Sequence, residues 1–184
     1  MCAEKPHVCP PSRLWQFDNF VRALLHPPGK VFGPYVKPGM HVLDVGCGGG
    51  FTTVALARLI GPGGRLVAAD VQREMLDRVH ARARRHGLDQ CLELHLCDAG
   101  SIGAAGPFHF ANAFWMAHET PDQAAFLGEI HGLLHDGGLL LVAEPMGHVK
   151  KPGFAKTLDL ARAAGFTVHA RPKIFMSHAA VLEK

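Results

Sequence analysis

The chain has 184 residues, of which 48% are hydrophobic, and a formal net charge of +3, which suits one domain with a single substantial core. Basic residues are spread along the chain, and no aromatic residue interleaves the densest cluster, Arg82, Arg84, Arg85 and His86, so we expect no nucleic-acid partner. No run reaches the roughly 18 consecutive apolar residues that a membrane span needs, which excludes an integral membrane protein of the helical kind. Five cysteines and no signal peptide predict reduced thiols in a cytoplasmic protein.

Residues 1–37 precede the regular pattern of the chain. This segment contains apolar residues for one amphipathic helix, between Trp15 and Leu25, followed by the sequence His-Pro-Pro-Gly at 26–29. We therefore expect an N-terminal segment that is distinct from the main domain, which begins at residue 38.

The most informative stretch is residues 41–50, where an apolar strand that contains Asp44 runs into a turn rich in glycine. Gly46, Gly48 and Gly50 stand at every second position, and a helix-like run follows at once. Glycine lets the backbone approach a ligand where a Cβ atom would collide, and a new helix presents free N–H groups. The stretch predicts a nucleotide-type cofactor site in an α/β fold. It is not a dinucleotide fingerprint, because the third glycine of that motif would fall on Phe51.

Strands and helices are predicted to alternate along the rest of the chain. A strand ends at Asp70, and the helix after it ends at Gly87. A later helix is predicted to be capped by Thr120, with Pro121 at its first position and Gln123 completing a capping box. Strands are predicted over residues 65–70, 92–97, 108–114, 139–144, 166–172 and 175–182, and helices over residues 51–60 and 152–164. The alternation predicts a mostly parallel sheet that is covered by helices on both faces.

The glycine turn and the aspartate before it resemble the first motif, D-x-G-x-G-x-G, of class I S-adenosylmethionine-dependent methyltransferases. The resemblance extends over residues 38–184, with Asp70 and Asp98 at the ends of the second and third strands. It implies a Rossmann-like α/β fold with a seven-stranded, mostly parallel sheet, helices on both faces and an antiparallel last strand. It also implies that residues 1–37 form a lid over the S-adenosylmethionine-binding domain. A helix that merely packs on the sheet edge is the alternative.

The same resemblance assigns residues to the cofactor. Asp44 is expected to orient the glycine turn and the amino group of the ligand. Asp70 is expected to hold the ribose, since a carboxylate at that strand end can accept hydrogen bonds from two vicinal hydroxyls. The residues expected at the cofactor are Asp44, Gly46, Gly48, Gly50, Asp70, Val71, Asp98, Ala99 and Phe114.

Polar residues follow the fourth and fifth strands, where the methyl acceptor is expected. His118 and Glu119 follow the fourth strand, and Glu144 and His148 follow the fifth. Methyl transfer is an in-line displacement that needs a deprotonated nucleophile, so His118 or Glu144 is predicted to act as general base. His118 is the first choice, because an imidazole titrates near neutrality. The alternative is that the glutamates bind loop amides while the histidines face water.

A metal site is another interpretation of the same residues. His118, Glu144 and His148, joined by His7 or Cys9, are admissible ligand types for zinc or another divalent ion. These residues contain no closely spaced ligand pair, so no resident metal is predicted. Cys9 could instead bind a soft substrate such as arsenite.

The predicted function is methyl transfer from S-adenosylmethionine to a small-molecule acceptor. The competing class is a non-catalytic protein that binds an adenosyl ligand or a partner on the same fold. The absence of a long insertion after the fourth or fifth strand favours this alternative, because larger relatives build an acceptor pocket there. A lid as short as residues 1–37 could be completed by the second subunit of a homodimer.

Overall fold

The computed structural model describes residues 24–98 and 100–184. A seven-stranded sheet carries the fold, with the strand order β3-β2-β1-β4-β5-β7-β6. The strands are β1 (His41–Val45), β2 (Arg65–Asp70), β3 (Leu92–Leu96), β4 (Phe108–Phe114), β5 (Leu134–Pro145), β6 (Thr167–Ala170) and β7 (Ser177–Glu183). Strands β1 to β5 pair in parallel, and β7 is antiparallel to both β5 and β6. The predicted Rossmann-like α/β fold with an antiparallel last strand is confirmed.

Helices cover both faces of this sheet. They are α1 (Pro28–Val31), α2 (Phe51–Ile60), α3 (Arg73–Arg85), α4 (Gln123–Leu133) and α5 (Lys151–Ala163). Alternate side chains of a strand point to opposite faces, so Phe108 packs with α4 and α5 while Phe110 packs with α1 and α2. Two apolar clusters result, one on each face. No helix in the part of the chain that the structure describes is long and apolar enough to cross a membrane.

Within the N-terminal segment, the structure describes residues 24–37. Most of the helix predicted between Trp15 and Leu25 therefore lies outside the described residues. The described part packs on the sheet, where Phe32 and Val36 are buried in the same cluster as Phe110 of β4. The domain division after residue 37 and the lid stay predictions.

The predicted cap of α4 is wrong. Asp122, not Thr120, caps the helix, because its carboxylate accepts hydrogen bonds from the backbone N–H groups of the first turn, at 2.9 and 3.0 Å. The Thr120 hydroxyl donates instead to the carbonyl of Ala117 at 2.7 Å, and the Gln123 amide donates to the same carbonyl at 3.0 Å. Both side chains thus bind the loop before the helix.

Four strands have boundaries that differ from the prediction, and the smallest difference is in β3, which ends at Leu96, one residue earlier than predicted. Strand β5 begins earlier, because Leu134 already pairs with Phe108 before an irregularity in the ladder. Strand β6 is shorter and ends before Pro172, which has no N–H group to donate to a ladder. Strand β7 begins later, after Met176, whose φ of 50° belongs to a turn and not to a strand.

Candidate active site

The glycine turn lies at the point where the order of the strands reverses. Strand β1 sits between β2 and β4, and the turn leaves its carboxyl end before α2 begins at Phe51. In an open α/β sheet, ligands bind at such a reversal point. Gly46, Gly48 and Gly50 have φ angles of 62°, 51° and 83°, a region that side chains disfavour. A Cβ atom on Gly46 would also lie 2.8 Å from the side chain of Met116.

Asp44 lies behind the turn and is only 1% exposed. Its carboxylate accepts hydrogen bonds from the hydroxyls of Thr53 at 2.6 Å and Thr52 at 3.0 Å, and from the side-chain amide of Asn112 at 2.7 Å. These bonds tie β1 to the first turn of α2 and to β4. Burial raises the pKa of Asp44, and the three hydrogen bonds oppose that rise. The geometry thus agrees with the expected orientation of the turn, while a contact with a ligand's amino group stays a prediction.

Asp70 ends β2 and faces the same turn. Its carboxylate accepts hydrogen bonds from the backbone N–H of Gly48 at 3.0 Å and of Gln72 at 2.9 Å. Burial raises the pKa of Asp70, and these backbone hydrogen bonds oppose the rise. On the other side of the turn, the guanidinium of Arg82 donates to the carbonyl of Gly49 at 3.2 Å. The turn is therefore held from β2 and from α3.

The residues predicted around the adenine follow β2 and β3. Val71 is 44% exposed, which is unusual for a large apolar side chain beside a buried strand end. Asp98 is exposed, and the backbone N–H of the preceding Cys97 donates to the carbonyl of Asp70 at 2.9 Å, which keeps the two strand ends together. Ala99 lies outside the described residues.

Phe114 ends β4 in an aromatic group that the sequence did not predict. Its ring centroid lies 5.6 Å from that of His26, and the ring of His26 lies 5.2 Å from that of Trp115. Trp115 has a φ of 64°, and its indole N–H donates to the hydroxyl of Ser177 at 2.9 Å. His26 and Ser177 are far from β4 in the sequence, so no local pattern could have placed them here.

His118 and Glu144 form a hydrogen-bonded pair at the carboxyl ends of β4 and β5. The Nδ1 atom of His118 lies 2.5 Å from Oε2 of Glu144, and the backbone N–H of His118 donates to Oε1 at 3.0 Å. Glu144 is 1% exposed, whereas the His118 side chain is 20% exposed. Burial alone lowers the pKa of His118, but the hydrogen bond and charge of Glu144, with the charge of Glu119, raise it above its ordinary value.

The ring of His148 completes this arrangement without forming a metal site. It meets the His118 ring edge to face, with 5.6 Å between the centroids. Within residues 24–98 and 100–184, no three His, Cys, Asp or Glu side chains could together hold a metal ion. His7 and Cys9, the further ligands considered from the sequence, lie outside those residues.

The site has the features that an adenosyl group and a sulfonium need. The left-handed glycines keep the turn free of side chains, and Val71 offers an exposed apolar surface next to the carboxylate of Asp70. The carboxylates of Asp44 and Asp70 lie at the turn, and negative charge there suits a positively charged sulfonium. Cys47, inside the turn, packs in a buried cluster with Leu76, and burial raises the pKa of its thiol, so it does not supply a thiolate.

Comparisons with known proteins agree with this geometry. Residues 36–171 match a family described as a methyltransferase domain. A demethylmenaquinone methyltransferase from Lactobacillus johnsonii is 31% identical over 68% of this chain and 53% of its own length. A ubiquinone biosynthesis O-methyltransferase from Caulobacter vibrioides is 28% identical over 82% of this chain and 58% of its own. The chain thus spans about half the length of these curated relatives.

Solved structures share the fold. A SAM-dependent methyltransferase from Aquifex aeolicus superposes with a TM-score of 0.84 at 24% identity, covering 95% of this chain and 98% of its own. The family match and this likeness confirm the resemblance to class I methyltransferases, whose cofactor is S-adenosylmethionine.

Proposed function

The chain belongs to the methyltransferase-domain family, and from that premise we propose that it transfers a methyl group from S-adenosylmethionine to a small-molecule acceptor. One observation carries the proposal. The His118–Glu144 pair lies at the ends of β4 and β5, and Met116, in the same loop as His118, lies so close to the glycine turn that a Cβ atom on Gly46 would be 2.8 Å from its side chain. A proton acceptor is thereby held beside the region where the cofactor is expected.

The residues of the turn would hold the cofactor. Gly46, Gly48 and Gly50 would accommodate its methionine part against the backbone, Asp70 its ribose, and Val71 and Asp98 its adenine. When bound, S-adenosylmethionine supplies a sulfonium methyl group that an aligned nucleophile can displace. Asp44 acts indirectly, because its carboxylate holds the first turn of α2 in place.

His118 is the general base of this proposal. A carboxylate only accepts hydrogen bonds, so the short contact to Glu144 places a proton on Nδ1 of a neutral His118 and leaves Nε2 as the basic atom. Among the described residues, Nε2 has no hydrogen-bond partner. The acceptor would give its proton to Nε2, and the charge of Glu144 would stabilise the resulting imidazolium, as in hydrolase triads.

Glu144 serves His118 and does not act as a base itself. Both of its oxygens bind His118, one the ring and one the backbone, and the side chain is buried. The bond to the backbone N–H of His118 is the kind of contact that the alternative interpretation expected, in which the glutamates bind loop amides. In this proposal the same carboxylate does both, because it fixes the loop and the tautomer of the ring at once.

A small-molecule acceptor is supported by the names of the relatives. They include methyltransferases of demethylmenaquinone and of ubiquinone biosynthesis, and a nocamycin O-methyltransferase from Saccharothrix syringae. The cytoplasmic location and the homodimer stay predictions.

Calorimetric titration with S-adenosylhomocysteine tests the cofactor. We expect one-to-one binding by the wild-type chain and a loss of at least about a hundredfold in Asp70→Ala, since two charge-assisted hydrogen bonds contribute about 1.5–3 kcal/mol each. Asp77→Ala is the matched control, because Asp77 is an exposed aspartate of α3. Absence of binding to the wild-type chain would refute the proposal.

A transfer assay with radiolabelled S-adenosylmethionine then tests catalysis on a panel of phenols, thiols and small acids. Cofactor binding without transfer to any of them would favour the non-catalytic adenosyl-binding protein. Transfer that is unchanged in His118→Ala would refute the role of His118 alone.

A further inference from the structure

A cavity of about 450 Å³ lies on the far side of β5 from the glycine turn. It is bounded by α5, by the first residues of β7 and by residues 171–174, which connect β6 to β7. This volume is within the usual range for small-molecule sites, about 300–1,000 Å³. The site described above does not use it.

Basic side chains outnumber acidic ones in the lining of the cavity. Lys151, Arg162, Arg171 and Lys173 line it, and Asp159 is the acidic residue among the lining side chains. Asp159 is already engaged, because Arg162 donates to it at 2.5 Å. Over residues 24–98 and 100–184, none of the other three cations has an ion-pair partner. The cavity is therefore positively charged, and it would attract an anion.

The rest of the lining includes an aromatic and apolar wall. The ring of His178 stacks on Phe154, with 5.7 Å between the centroids and 28° between the planes. Phe154 is buried, and Leu158 and Ile174 extend the same wall. A ligand that fits this cavity would thus combine a planar or apolar body with an acidic group.

The register of β5 and β7 connects the cavity to the His118–Glu144 pair. His178 is paired directly with Glu144 across β5 and β7, and directly opposed residues of two strands project from the same face of the sheet. Ser177, in the cavity wall, also accepts the hydrogen bond of Trp115 at the end of β4. A molecule bound here would lie two strands from β4, after which the proposed base follows, with β5 between them.

We propose that this cavity binds the methyl acceptor and that the acceptor carries an acidic group, a carboxylate or a phosphate, which contacts Arg171, Lys173 and Lys151. The inference rests on the proposed methyltransferase function. The body of the acceptor lies along the Phe154–His178 wall, and the group to be methylated extends toward His118.

Binding of matched probes tests the inference. Catechol and phenol are neutral probes, 3,4-dihydroxybenzoate adds a carboxylate to the first, and phenyl phosphate adds a phosphate to the second. Each is titrated to about 10 mM into the labelled full chain with S-adenosylhomocysteine present, which detects millimolar affinity by NMR. We expect the acidic probes to shift resonances of Phe154, His178 and Arg171 and to bind at least tenfold more tightly than their neutral counterparts. The preferred probe identifies carboxylate or phosphate as the group.

Charge-removing variants complete the test. The double variant Arg171→Gln, Lys173→Gln is expected to bind the acidic probes at least tenfold more weakly than the wild-type chain does. Its affinity for the neutral probes should be unchanged. The control is Arg84→Gln, Lys156→Gln, which makes the same changes at exposed positions outside the cavity. Equal binding of acidic and neutral probes, no binding of either acidic probe, or shifts confined to other residues would overturn the inference.

The two proposals fail separately. If the wild-type chain binds S-adenosylhomocysteine but the acidic probes do not bind the cavity, the acceptor assignment is wrong and the methyltransferase proposal stands. If S-adenosylhomocysteine does not bind, the methyltransferase proposal is wrong and the acceptor assignment falls with it.

Discussion

On the cofactor side of the sheet, the carboxylates of Asp44 and Asp70 are buried and accept hydrogen bonds from the elements around them. On the acceptor side, past β4, polar groups remain available: Nε2 of His118 and three cations of the cavity around Phe154 have no hydrogen-bond or ion-pair partner among the described residues. The first arrangement fixes the shape of a turn before a ligand arrives, and preorganisation of this kind lowers the cost of binding. The second leaves groups free for a proton or an acidic substrate. A change on the cofactor side should therefore affect stability or cofactor affinity, and a change on the acceptor side should affect chemistry.

The largest effect is expected from His118→Ala. Removal of a general base lowers turnover by about 10²–10⁴-fold, which corresponds to about 3–5 kcal/mol of transition-state stabilisation. Affinity for S-adenosylhomocysteine should be unchanged, because the side chain of His118 binds Glu144 and, among the described residues, makes no hydrogen bond to the turn. The measurements are single-turnover methyl transfer and calorimetry on the same preparations.

His148→Ala is the control for that variant, since it removes a neighbouring ring and leaves the bond between His118 and Glu144 intact. A similar loss of turnover in both variants would mean that the pocket, and not the base, had been damaged.

Asp44→Ala should destabilise the fold by about 3 kcal/mol. It leaves the buried donors of Thr52, Thr53 and Asn112 without their acceptor, and each unsatisfied buried donor costs about 1–3 kcal/mol. Urea denaturation measures this loss. Asp70→Ala is the counterpart, because it should reduce cofactor affinity more than stability. A larger loss of stability in Asp70→Ala than in Asp44→Ala would contradict the roles given to the two carboxylates.

The sequence predicted the cofactor side better than the acceptor side, and the reason is the distance along the chain between the residues involved. Residues 41–50 contain the strand end and the glycine turn in one local pattern, so this strand, turn and helix start could be predicted without a structure. The contact between His118 and Glu144 joins residues 26 positions apart and depends on the register of β4 and β5. Both residues could be proposed separately, whereas their pairing required the sheet.

The cavity and the α4 cap show two further limits of sequence reasoning. The cavity is formed by α5, β7 and the connection after β6, and its cations have no common spacing that a pattern search would detect. At α4, Thr120 and Asp122 are both good capping residues, and Pro121 between them fits either assignment. The choice is decided by Ala117, whose carbonyl accepts the Thr120 hydroxyl and so removes it from the helix.

Gly46→Ala should disturb the place where the glycine turn of the cofactor side meets the loop of His118 on the acceptor side. Its Cβ atom would lie 2.8 Å from Met116, at a φ of 62° that already disfavours a side chain. We expect a destabilisation of about 1–3 kcal/mol and weaker binding of S-adenosylhomocysteine. Gly39→Ala is the matched control, since its φ is 82° but nothing lies within 4 Å of the added atom. Equal effects in the two variants would show that backbone strain alone is responsible, and that the turn does not depend on the loop of His118.

The smallest effect is a shift in pH dependence. The pKa of His118 is raised above 6.5, because Glu144 and Glu119 outweigh the effect of burial. The neutral base therefore forms only as pH rises through this raised pKa, and methyl transfer should increase over that range. The stabilisation from charged His118 has the opposite sign. It is fully present below the unfolded pKa of about 6.5 and is lost as pH rises through the folded pKa.

Glu144→Gln should lower the pKa of His118, because it removes the partner that raises this pKa most, while burial, which lowers it, remains. The acid limb of methyl transfer should move to lower pH, and acid should now destabilise the fold, since the site disfavours the charged ring. Glu119→Gln is the control and should move the pKa only slightly, as its charge is the smallest of the causes. NMR titration of the His118 ring reports the pKa directly in all three proteins. A ring that titrates at the same pH in wild-type and Glu144→Gln protein would mean that the two side chains do not share a proton in solution. His118 would then lack the partner that makes it a base on the acceptor side.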